Sequence, residues 1–180
     1  MLENNTMRTA TTTPNRFTLQ GFSLIEVLVA LAVLSIGLLG LAALQTTGLK
    51  FNHQSYERTQ AVLQAYDIID RMRANKSGTG NTINTAYNSV ALGNLPTISQ
   101  YCTTVSTCTG DQLALFDIRS WNAANASILS EGRGAICKGN FTNDANNEPT
   151  GCTPGGSIYS VAITWRENDL KSRLDVETQP

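Results

Sequence analysis

The sequence predicts an α+β fold, with one long N-terminal helix over about residues 22–75, a small antiparallel β-sheet and one short extra helix. Three observations predict it. Residues 22–75 contain no proline and keep a helical apolar pattern. Residues 158–166 alternate bulky and smaller side chains, and residues 171–177 alternate charged and apolar ones, as paired strands do. All four cysteines fall after residue 100, in a stretch rich in Asn, Thr, Ser and Gly.

The first half of the long helix is apolar all round. Of the 23 residues 22–44, only Glu26 is charged. At about 1.5 Å per residue the run spans roughly 34 Å, enough to cross a hydrocarbon layer of about 30 Å. A charge at the middle of such a run costs about 2–3 kcal/mol, and less near an end. Glu26 stands about 6 Å into the helix, so it reads as a retained, functional charge.

Gly21 directly before Phe22, then Ser23, Leu24, Ile25, Glu26, Val27, Leu28, Val29 and Ala30, resembles the N-terminus of type IV pilins. The resemblance rests on a polar leader ending in Gly, a Phe next, and a Glu four positions later inside an apolar helix. An ordinary secretory signal differs, with an apolar region of 7–15 residues and a small-x-small cleavage site. The resemblance implies the type IV pilin fold, a cut by a prepilin peptidase between Gly21 and Phe22, and N-methylation of the new Phe22 terminus. The mature chain would keep 159 of the 180 residues. It also implies an assembly role for Glu26, facing the positive terminus of a neighbouring subunit. The two charges would offset each other's burial cost and mark one axial register.

The domain organisation expected is then a cleaved leader over 1–21, a transmembrane and filament-core half of the helix over 22–44, an amphipathic half over 45–75, and a periplasmic head over 76–180. The leader carries Glu3, Arg8 and Arg16. Basic residues ahead of an apolar helix keep that side cytoplasmic, which sends the rest of the chain across the membrane. Met1 and Met7 are both possible starts, with the same mature protein.

In residues 45–75, Ala61, Ala65, Ile68 and Met72 fall on one helical stripe flanked by Val62 and Ile69. Glu57, Gln60, Gln64, Asp67 and Arg71 form a polar stripe beside it. Leu49, Tyr56 and Leu63 recur every seven residues on a further side, which predicts a helix covered from two directions. The helix would be roughly 80 Å long. Gly37, Gly40 and Gly48 are points where it can unwind or where neighbours can approach. Many major pilins have a kinking proline in the apolar half, and this chain has none. His53, the one histidine, reads as a packing or surface residue.

Gly78 and Gly80 end the helix. Residues 76–101 read as a long surface loop pinned by Tyr87, Leu92, Leu95 and Ile98. Cys102, Cys108, Cys137 and Cys152 allow three pairings. Outside the cytoplasm they are expected to be oxidised, and the local pairs Cys102–Cys108 and Cys137–Cys152 are the expected ones. The tight C-x2–4-C spacing of a zinc site is absent. Thr109 or Asp111 caps a helix of about 14 residues, 112–125, with Ala114, Ile118 and Trp121 on one face. Residues 135–138 read as a short strand and 139–157 as a loop, without the D-x-[DN]-x-[DN]-G pattern of a calcium site. Tyr159, Val161, Ile163 and Trp165 share one face of the strongest strand. The hairpin turns over residues 167–170 and returns with Leu174 and Val176 inward and Arg173, Asp175 and Glu177 outward. One face of the hairpin is expected to be buried against the amphipathic half of the helix.

The whole chain has net charge −1, and removal of a leader of net +1 leaves −2. With 13 Lys and Arg in 180 residues and no basic stripe, nucleic-acid binding has no footprint. No phosphate loop and no nucleophile–His–acid set is present, so no catalytic residue, metal or cofactor is expected.

Thr107–Trp121, Gly132–Cys137 and the Trp165 hairpin are similar to V-type minor pilins, also called pilus modification proteins. That resemblance implies a subunit that waits in the inner membrane, joins other minor pilins and the major pilin at the assembly platform, primes the fibre and sits at or near its tip. A minor pseudopilin of a type II secretion system shares the same signature. A tip adhesin or DNA-uptake subunit, using the 76–101 or 139–157 loop, is the reading as a binding module.

Overall fold

The structure, a computed structural model, describes residues 21–77, 82–99, 101–102 and 108–179. The leader residues before Gly21, the helix-ending Gly78 and Gly80, and Thr107 lie outside the described residues. The chain divides into two units, Met1–Thr47 and Gly48–Pro180.

Helix α1 runs Leu24–Ala74. In the first unit its polar side chains turn back on the helix. Ser35 Oγ donates to the Leu31 carbonyl (2.7 Å), and the Thr46 and Thr47 hydroxyls both donate to that of Ala43. Ser35, inside the apolar run, thus satisfies its hydroxyl on the helix itself, without water.

The second unit is built on the C-terminal part of α1. A two-stranded ribbon pairs β1 (Lys76–Ser77) with β2 (Thr82–Ile83). A 3-10 turn, Thr85–Tyr87, leads to β3 (Ser89–Val90). Helix α2 spans Gly110–Ile128, followed by β4 (Arg133–Asn143), β5 (Pro149–Glu167) and β6 (Leu170–Thr178). The main sheet is antiparallel throughout in the order β3-β4-β5-β6. Ala61, Ala65, Ile68, Ile69 and Met72 of α1 enter one core with Trp121 and Ile118 of α2 and with Tyr159, Val161, Ile163 and Trp165 of β5. The helical stripe and the alternating strand of the sequence are its two main walls.

Several expectations need correction. Residues 76–101 are not a plain loop: Ile83, Tyr87 and Val90 are buried, while Leu95 is exposed. Asparagines make this possible, because their amides stand in for a backbone ladder. Asn84 accepts from the Ala86 N–H and donates to Asp111 (2.8 Å), and Asn75 donates to the Gly110 carbonyl (2.7 Å).

Residues 139–157 are not a loop either. β4 and β5 continue as a hairpin past the core, and only residues 144–148 form its turn. The Asp144 carboxylate accepts from the Glu148 and Asn146 backbone N–H groups. Those bonds, with the Lys171 charge as the least of the contributions, hold its carboxyl below the usual carboxylate range. The register slips between Lys138 and Gly139, where Gly139 has φ of 126°, a bulge only glycine accepts readily. A solvated hairpin extension has no buried face to impose apolar alternation, so its composition resembles a loop's.

The polar stripe of α1 has a partner within the chain. Trp121 Nε1 donates to the Gln64 carbonyl (2.8 Å), and Arg71 donates to Asp67 (2.9 Å) and Asp117 (3.3 Å), so this stripe meets α2. Leu49, Tyr56 and Leu63 are instead 68%, 59% and 55% exposed, not covered from a second direction.

The β5–β6 hairpin does not bury one face alone. β5 is an inner strand, and Ser160, Ala162 and Thr164 on its other face are buried too. Finally, α2 has 19 residues, longer than expected, and β4 extends well beyond 135–138. The α2 cap is Thr109: its hydroxyl accepts from the Gln112 N–H, while the Gln112 side chain accepts from the Thr109 N–H.

Candidate processing and assembly site

Gly21, Phe22 and Ser23 precede the first helical turn. The Ser23 carbonyl accepts from the backbone N–H groups of Glu26 (3.0 Å) and Val27 (3.2 Å), which starts α1. Ser23 and Glu26 stand at the spacing of a capping box, yet these bonds are backbone bonds. Glu26 forms no ion pair among the described residues. An acid in the first turn complements the positive end of the helix dipole.

Phe22 is 83% exposed, and the large apolar residues from Leu24 to Leu44 are exposed as well. Phe22, Glu26, Val27, Ala30, Leu31 and Leu34 line a shallow groove of about 420 Å³ on one side of the helix. The apolar part of α1 includes an 18-residue window of mean hydropathy 2.7, none of it buried within the chain. Such a surface needs lipid or other helices around it. Length and hydropathy alone do not separate an anchor from other apolar helices, so the decisive signal is Phe22 and Glu26 at their spacing.

Two family models match the sequence. The prokaryotic N-terminal methylation motif covers residues 18–42. The model described as type IV pilin Tt1218 covers residues 43–119, adjoining it. Together these matches cover residues 18–119 and support the type IV pilin family. No curated protein and no solved structure matches it. The long N-terminal helix and four-stranded antiparallel sheet are a pilin fold, and the methylation motif with the apolar helix supports membrane anchoring followed by pilus assembly.

In the second unit the cysteines form two disulfides, Cys102–Cys108 and Cys137–Cys152. No group of three or more His, Cys, Asp or Glu able to hold a metal ion occurs among the described residues. His53 is exposed and lies 3.7 Å from the buried Glu57 carboxylate. It lines a groove of about 250 Å³ with Lys50, Gln54, Glu57, Ser130, Arg166, Glu167 and Asn168.

Sequence reasoning missed a buried polar cluster that fixes α2 on α1. Tyr87 donates its hydroxyl proton to Asp117 (2.7 Å), whose other oxygen accepts from Arg71. Burial raises the Tyr87 phenol far above its ordinary value, and the Asp117 carboxylate pushes the same way while the Asn75 hydrogen bond opposes it. Three residues far apart in sequence carry no local pattern that marks them. Asp117, an acid set between Phe116 and Ile118 on α2, was the one available signal.

Proposed function

We propose that this pilin is a minor subunit of a type IV pilus, cut between Gly21 and Phe22 by prepilin peptidase and N-methylated at Phe22. Residues 1–21 are the leader, 22–44 the membrane and filament-core segment, 45–75 the amphipathic half of the spine, and 76–180 the periplasmic head. The subunit joins other minor pilins of the V-type set at the inner-membrane assembly platform, primes the fibre ahead of the major pilin, and occupies its tip or a site near it.

The observation that carries the reading is Glu26. It is a charge in the first turn of an exposed apolar helix, without an ion-pair partner among the described residues. After cleavage at Gly21, the new α-ammonium would sit at the positive end of the helix dipole, an unfavourable place for a cation. A carboxylate from a neighbouring subunit offsets that charge. Only one axial offset between parallel helices brings the two together, so the pair sets register during packing. The chemistry is association, in keeping with a structural family.

The test is complementation of a deletion strain. Wild-type chain restores surface filaments. Glu26→Ala is expected to be processed and held in the membrane but to restore about tenfold fewer filaments. Filament numbers equal to wild type with Glu26→Ala would remove the basis of the proposal. A strain whose filaments are unaffected by the deletion, but whose protein export fails, would move the chain to a secretion pseudopilus.

A further inference from the structure

Leu49 and Phe51 are 68% and 62% exposed on α1, ahead of Glu57, the first buried residue of that helix. Successive residues of an α-helix turn by about 100°, so Leu49 and Phe51 stand on nearly opposite sides, with Lys50 between them on a third. A partner helix laid along one side covers one of the two apolar side chains and leaves the other in water. A medium that surrounds the helix covers both.

The charge between them is unanswered within the chain. Lys50 is the one Lys, Arg, Asp or Glu between Glu26 and Glu57. It is exposed and lines the groove that also holds Glu57 and Glu167. Glu57 lies against His53 and Glu167 accepts from the Ser172 hydroxyl, and Lys50 forms no ion pair among the described residues. Its ammonium is free for an anion outside the chain.

The lengths agree with a lipid surface. With Glu26 at the headgroups of the cytoplasmic side, a hydrocarbon layer of about 30 Å takes about 20 residues of helix, 27–46. Thr46 and Thr47, at the far end of that stretch, donate their hydroxyls to the Ala43 carbonyl and need no water there. A headgroup layer of about 5–7 Å takes about five more residues, 47–51. Helical side chains lean back towards the N-terminus, so Phe51 reaches into that layer and not out of it.

We infer that Leu49, Lys50 and Phe51 form a collar seated in the headgroup layer on the head side of the membrane, with the Lys50 ammonium on lipid phosphate. The inference rests on the reading of the chain as membrane-anchored before assembly. Leu49 and Phe51 lie against the acyl boundary on either side of the helix, while the Lys50 stem lies along it and carries its charge to the phosphates. The collar sets how far α1 stands out of the membrane.

The test uses the full-length chain in vesicles of phosphatidylcholine with phosphatidylglycerol. All native cysteines among the described residues are disulfide-bonded, so an added cysteine takes a fluorescent thiol label. Asn52 is exposed and lies about 12 Å beyond Leu44 along the helix. A label at Asn52→Cys is expected to be quenched more by nitroxide on lipid headgroups than by nitroxide at mid acyl chain. A label at Ile36→Cys is expected to show the reverse order. Leu49→Ser with Phe51→Ser is expected to abolish quenching at Asn52 and to leave that at Ile36. Lys50→Gln is expected to lower quenching at Asn52 to its level in phosphatidylcholine alone. Quenching at Ile36 with none at Asn52 would overturn the collar and leave the anchor standing, whereas no quenching at Ile36 would remove the anchor and the collar with it. Quenching at Asn52 that ignores all three substitutions, or disulfide-linked dimers of unlabelled Asn52→Cys in place of quenching, would also overturn the inference.

Discussion

Gly134 of β4 lies directly against the indole ring of Trp121, and a β carbon on Gly134 would overlap the six-membered part of that ring. The contact is locked from both sides. Trp121 Nε1 is bonded to the Gln64 carbonyl of α1, and the Gly134 N–H donates to the Asn122 side chain (2.7 Å). Helix, helix and sheet meet at this glycine.

Gly134→Ala should therefore force Trp121 out of place or move β4. Overpacking of this kind costs about 1–3 kcal/mol, and loss of the buried indole bond adds about 1 kcal/mol. Urea unfolding followed by tryptophan fluorescence checks this. The midpoint should fall, and the native emission should shift as the ring loosens.

The burial of Tyr87, with its bond to Asp117, should appear in alkaline stability. The folded phenol titrates well above its unfolded value, so the folded state holds its proton where the unfolded state has lost it. The stabilisation is complete below about pH 10 and falls as pH rises beyond it, by about 1.4 kcal/mol per unit. Tyr159, also raised by burial, adds to the slope. Tyr87→Phe should flatten the fall, with Tyr159 supplying what remains. Denaturation midpoints at pH 8, 10 and 11 read this directly.

Removing Asp117 should hurt more than removing its tyrosine partner. Asp117→Ala leaves the Arg71 guanidinium with Asp67 and Ser120 alone, and leaves the buried Tyr87 hydroxyl without its acceptor. Leaving the buried Tyr87 hydroxyl without its acceptor costs about 1–3 kcal/mol, and the part-exposed Arg71 adds little. Because Arg71 keeps Asp67, a loss within that range is expected in the same unfolding assay.

The two disulfides should differ in weight. Cys137–Cys152 spans 15 residues and Cys102–Cys108 spans 6. Loop-entropy arithmetic gives about 3 kcal/mol for the first and about 2 for the second. Paired Ser substitutions, one pair at a time, should show the larger loss of stability for Cys137 and Cys152. Cys137 is also fully buried beside the core strands.

Much of the fold was legible because it rests on periodicity. Ala61, Ala65, Ile68 and Met72 repeat as a helix and meet Tyr159, Val161 and Ile163, which repeat as a strand. Phe22 and Glu26 were legible for another reason: a lone charge in an apolar run stands out in any sequence. The hairpin over 139–157 was hidden because its outer part has no buried face, leaving Asn, Gly and Thr with no apolar rhythm. Gly134 was hidden because its meaning depends on Trp121, placed against it by tertiary packing. The β6 charges were read as an outward face.

The measurement that bears most directly on the account is the mass of the N-terminal peptide of this protein in filaments sheared from whole cells. The account predicts a peptide beginning at Phe22 and carrying an N-methyl group in that fraction. A terminus near Ala43, or an intact leader continuing through Gly21 into Phe22, would contradict it.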